Sequence, residues 1–125
     1  MRRLRQTRVK PFFFKPKIVT KDNEGVPEIS YGDHFVLKGE LWPATSKRQI
    51  EQYGDRIENI ANMRVEGKYR IVLMAGSVQA NFSDGSILRP GDGVYVYADL
   101  DGRPDYAVLS ITQYYPLKLE VERIV

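Results

Sequence analysis

Few residues in this 125-residue chain could do acid–base chemistry near neutral pH. His34 is the sole histidine, and it follows Asp33, so the pair could in principle act as a general base with its orienting carboxylate. No partner for it is legible: the chain has no cysteine, and no serine sits in the Gly-x-Ser-x-Gly turn that exposes a nucleophile. A lone histidine beside an aspartate at the start of a strand is more often structural than catalytic. Asp99-Leu100-Asp101-Gly102 resembles a fragment of a calcium loop, but Arg103 stands where an oxygen ligand is needed and Ser110 where the closing glutamate would be. Pro90-Gly91-Asp92-Gly93 lacks the lysine of a phosphate-binding loop. Without thiolates and with one imidazole, a zinc site is disfavoured as well. The expectation is a protein that is not an enzyme, with no catalytic, cofactor-binding or metal-ligating residue and no cofactor.

Two features point to binding. Residues 1–21 hold eight basic residues and no acid, whereas the rest of the chain holds 11 basic and 16 acidic residues, so a basic arm of charge +8 precedes a body of charge −5. An arm of that kind suits an anionic partner, either nucleic acid or an acidic protein surface. Tyr95, Tyr97, Tyr106, Tyr114 and Tyr115 could form a stacking platform for single-stranded nucleic acid. Such platforms sit in a positive groove, and these tyrosines belong to the acidic body, where packing in a core or a protein interface is the better reading.

The elements that would position these residues are short and extended. Pro11 to Thr20 is aromatic and β-branched, and its prolines suggest an edge strand or an arm lying on a neighbour. From His34 to Trp42 the apolar residues alternate with period two, and Pro43 ends the strand. Ser46 can cap a helix over about 46–53, which Gly54 interrupts, and an extended segment follows through Asn59, Ala61, Met63 and Val65. That insertion, 44–62, can be read as a projecting loop or as a helix plugging the end of a barrel. Further strands follow Gly67, with turns at Asp84-Gly85, Pro90-Gly93 and Asp99-Pro104, and Leu117–Arg123 carries its apolar residues at odd positions. The fold expected is mainly β: a single small β-barrel domain of five to six strands over 22–125, with the insertion and an extended N-terminal arm over 1–21. No apolar run spans a bilayer and the first residues lack a secretory apolar stretch, so a soluble, cytoplasmic protein without a membrane partner is expected.

Three ordered segments suggest a family. Gly39-Glu40-Leu41-Trp42-Pro43-Ala44, then Ser46 to Gly54, then Asn62-Met63-Arg64-Val65-Glu66-Gly67-Lys68-Tyr69 resemble the head-tail joining, or head-completion (stopper), proteins of long-tailed bacteriophages, as does the closing stretch from Asp105-Tyr106 to Arg123. The resemblance covers roughly 30–123, and the basic arm departs from it.

The resemblance implies a structural protein of the virion neck, assembled in the host cytoplasm. It implies a homo-oligomeric ring, expected as a dodecamer, between a portal-adaptor protein and the tail or tail-terminator protein, helping to retain packaged DNA. On this view Lys47, Arg48, Gln49, Glu51, Gln52 and Arg56 line or approach the channel, near the DNA without gripping it. Arg2, Arg3, Arg5, Arg8 and Lys10, with Phe12, Phe13 and Phe14, form an arm that contacts a neighbouring protein. The alternative is a small nucleic-acid-binding protein with an OB-like barrel.

Overall fold

The computed structural model describes residues 9–74 and 76–124. In chain order the strands are β1 (Lys10–Lys15), β2 (Lys17–Lys21), β3 (Pro27–Tyr31), β4 (Phe35–Pro43), β5 (Ile60–Val65), β6 (Tyr69–Met74), β7 (Ser77–Phe82), β8 (Ile87–Leu88), β9 (Gly93–Tyr95), β10 (Tyr106–Thr112) and β11 (Leu117–Arg123). Among the described residues a single α-helix, α1 (Lys47–Tyr53), and a 3₁₀ stretch, Gly54–Asn59, lie between β4 and β5. Six strands close an antiparallel barrel in the order β1-β4-β5-β11-β10-β9. Closure removes the exposed sheet edges that an open sheet of this size would have to protect.

Alternation decides which side chains fill the barrel. Leu117, Leu119 and Val121 on β11 and Met63 and Val65 on β5 are fully buried, and they meet Phe12, Phe14, Leu37, Val94 and Val108. Their sequence neighbours Lys118, Glu120, Glu122, Asn62 and Arg64 therefore point outward. Gly39 sits where β4 presses on β5: a Cβ there would run into the Arg64 carbonyl, so the strand approach requires glycine. A second sheet, β6-β7-β8, continues the same core with Tyr69, Ala80, Phe82 and Leu88. A third unit, the hairpin β2-β3, adds nothing to it.

From Lys10 onward the stretch expected as an extended arm over 1–21 is part of the fold. Its residues Lys10–Lys15 and Lys17–Lys21 are strands, and Phe12 and Phe14 are buried in this chain's own barrel and do not lie on a neighbour. Two phenylalanines on one strand face, each able to contribute about 1.5–3 kcal/mol when buried, outweigh the solvation of the flanking lysines. Nor is β1 an edge strand. Pro11 faces β4 at Lys38, while β9 pairs only Phe13 to Lys15, so the proline falls where no second ladder needs its missing N–H. Arg2, Arg3, Arg5 and Arg8 lie outside the described residues.

Candidate functional site

The insertion between β4 and β5 is fastened to the outside of the barrel. Ser46 caps α1 by accepting the Gln49 amide at 3.2 Å, and Gly54 ends the helix at φ +55°, a backbone position that favours glycine. One turn in, the Gln49 side chain donates to Asn62 Oδ1 at 2.7 Å and to Glu120 Oε2 at 2.9 Å, and it is buried. Tyr53 and Ser110 donate their hydroxyls to Glu120 Oε1 at 3.0 and 2.8 Å. Strand register explains the convergence: Trp42, Asn62, Glu120 and Ser110 are consecutive partners across β4, β5, β11 and β10, so they form one outward row. Beyond Gly54, Arg56 forks onto Glu122 with two bonds of 2.8 and 2.7 Å.

The charges follow from these contacts. Burial pulls the Glu120 carboxyl up, but hydrogen bonds from Gln49, Ser110 and Tyr53 outweigh it and hold the group below its ordinary range. Burial and the adjoining Glu120 push the Tyr53 hydroxyl up to about 12. A carboxylate stabilised in this way is a weak base, and the hydroxyls that point at it stay protonated. The cluster therefore acts as a clamp, not as proton-transfer machinery.

This placement replaces both readings of the insertion. No residue of α1 belongs to the core cluster, so the helix does not plug the barrel. It does not project either, since Gln49 is buried in the clamp and Arg56 is paired on the barrel wall. Lys47, Arg48, Glu51 and Gln52 remain exposed on the free side of α1, as does Ile50.

The remaining candidates are scattered. His34 is exposed and meets the Phe13 ring edge-on at 5.6 Å; among the described residues no side-chain hydrogen bond joins it to Asp33. The five tyrosines do not form one platform. Tyr95 is buried with its hydroxyl on the Gly102 carbonyl, Tyr97 is 80% exposed, and Tyr114 and Tyr115 lie in the β10–β11 turn. β9 stops at Tyr95 because the Asp105 carboxylate takes the amides of Val96 and Tyr97, both at 2.9 Å. Asp92 is used similarly: its buried carboxylate accepts the amides of Lys17 and Arg89, which tie the foot of β2 to the Pro90-Gly93 turn. Burial raises this carboxyl above its ordinary range, against the lowering effect of the two amides.

One arrangement has no counterpart among the expected sites. The Arg64 guanidinium lies over the Trp42 ring at 5.9 Å and the Tyr114 ring at 5.8 Å. Its cross-strand neighbours are Glu40 and Lys118, yet among the described residues no carboxylate stands within ion-pair distance of it. Alternation alone places Trp42 and Arg64 on outward faces. Only the pairing of β4 with β5 and the fold of the β10–β11 turn bring the three side chains together. No family model matches the chain, and neither curated proteins nor solved structures give a match.

Proposed function

We propose that the protein is a structural connector subunit of a tailed phage, a head-completion protein that forms a ring between the portal-adaptor and the tail and helps to retain DNA. The observation that supports the reading is a closed barrel bearing a hairpin that it holds at the foot and leaves uncovered beyond. Val19 and Ile29, opposite each other on β2 and β3, are 56% and 55% exposed, and Val26 at the turn is exposed too. A two-stranded hairpin is marginal in water by itself, so this one calls for a surface supplied by another molecule. The three segments that resemble head-completion proteins fall on the continuous stretch β4, α1, β5 and the start of β6. The wall clamp and the two buried aspartates hold structure, which agrees with a non-enzymatic role. The solvent-facing residues Lys47, Arg48, Glu51 and Gln52 are those left to approach a channel.

The test is to purify the full chain, measure its mass across a range of concentration, and image it by electron microscopy alone and with purified portal-adaptor. Rings, or incorporation at the portal, support the reading. Monomers that never join the portal, and that instead bind single-stranded DNA with a steep salt dependence, favour the OB-like alternative.

A further inference from the structure

We infer that the acidic turn of the β2-β3 hairpin of one copy docks on the arginine–aromatic patch of Arg64, Trp42, Tyr114 and Lys118 of a second copy. The inference deepens the connector reading and rests on it.

The patch is built for recognition. Arg64 is held between two rings, meets no carboxylate at ion-pair distance among the described residues, and has Lys118 beside it in register. Tyr114 and Tyr115 are half exposed, and arginine, tryptophan and tyrosine are the side chains that most often anchor a protein interface. Glu40 adjoins Arg64, so the wall is not the continuous cationic track that a nucleic-acid backbone needs. A compact partner with a few carboxylates and some apolar surface fits better.

The hairpin turn has that chemistry. Asp22 accepts the amides of Glu24 and Val26, each at 2.9 Å, which fixes the turn and leaves Glu24, Val26 and Glu28 exposed. A preformed turn loses little entropy on docking. Glu24 and Glu28 can meet Arg64 and Lys118, with Val26 against the rings.

Topology says that the partner is another copy. The hairpin leaves the barrel at the end of β1, rejoins it at Phe35, the first residue of β4, and is tied at its foot to Asp92 beside β9, while the patch lies on Trp42 near the far end of β4, on β5 and on the β10–β11 turn. In the strand order β1-β4-β5-β11-β10-β9, β9 and β5 are diametrically placed. Phe35 and Trp42 stand near opposite ends of β4, roughly 23 Å apart at about 3.3 Å per extended residue, so the foot of the hairpin and the patch are well separated on one chain. Complementary surfaces at separate places on one chain give head-to-tail contacts, which close into a ring when the rotation allows.

Charge reversal tests this on the full chain by sedimentation velocity, with thermal melts confirming that each variant is folded. Arg64→Glu alone, and Glu24→Lys with Glu28→Lys, should each raise the concentration needed for assembly more than tenfold. An equimolar mixture of the two variants should assemble again, because each then offers the other an opposite charge. Wild-type assembly that neither variant disturbs refutes the docking while leaving the ring reading intact. A wild-type chain that stays monomeric at every concentration refutes the docking, and failure to join the portal refutes the ring reading with it. Salt-dependent binding of a 20-nucleotide single strand that Arg64→Glu abolishes, with assembly unchanged, assigns the patch to nucleic acid and overturns the proposal.

Discussion

Two segments are appended to this barrel, and they are attached by opposite means. The α1 segment is short and polar, and four of its residues, Ser46, Gln49, Tyr53 and Arg56, hydrogen-bond within the segment or onto the wall. The β2-β3 hairpin is richer in apolar residues, yet Val19, Val26 and Ile29 are more than half exposed, and among the described residues its foot is held by one Asp92 contact and the Gly32 amide on the Pro16 carbonyl. The segment that looks suited to projection is fastened, and the one that looks suited to packing stands free. Attachment depends on whether partners of matching chemistry converge, and in a barrel that is set by strand register. The outward row offers Asn62 and Glu120 as acceptors to Gln49 and Tyr53, and Glu122 takes Arg56, whereas no apolar wall faces Val19 and Ile29.

The contrast can be broken most forcefully in the core that both segments depend on. Phe14→Ala should destabilise the isolated chain by about 3–5 kcal/mol, measured by chemical denaturation, since a fully buried ring on a central strand leaves a cavity. A cost near zero would mean that β1 is not part of the folded barrel. Next, Glu120→Ala removes the acceptor shared by Gln49, Tyr53 and Ser110 and should cost about 1–3 kcal/mol, with α1 protected less against amide hydrogen exchange than the barrel strands. Equal protection in the variant would show that α1 is held by something other than the clamp.

Titration sharpens the same point. Because the folded chain holds Glu120 below its unfolded value, the stability it provides is complete above about pH 4.3 and is lost as the pH falls through the lower folded value. At the other extreme Tyr53 is raised to about 12, so its contribution is complete below about pH 10 and is lost between there and 12. Unfolding monitored from pH 5 to 2 and from 9 to 12 should show both losses, and Glu120→Gln should flatten the acid limb. The smallest effect belongs to the hairpin. Val19→Ser with Ile29→Ser should shift the stability of the monomer by no more than about 0.5 kcal/mol, while weakening self-association. A large loss of monomer stability would place the hairpin inside the fold.

What the sequence alone determined about this protein is local. Period-two alternation located β4 and β11 and identified which of their residues share a face, and Ser46 and Gly54 bracketed the helix to within a residue. These features were legible because helix capping, positive φ at a turn and side-chain alternation depend on neighbours in the chain. The tertiary structure alone decided the partners. That Phe12 and Phe14 enter the core depends on β1 pairing with β9, some 80 residues away in the chain, as Phe13 opposite Tyr95 shows. That β6, β7 and β8 leave the barrel for a sheet of their own, and that α1 lies on the wall, depend likewise on which strands lie side by side. Alternation reports what a strand shows on each face and carries no information about which strand will cover it.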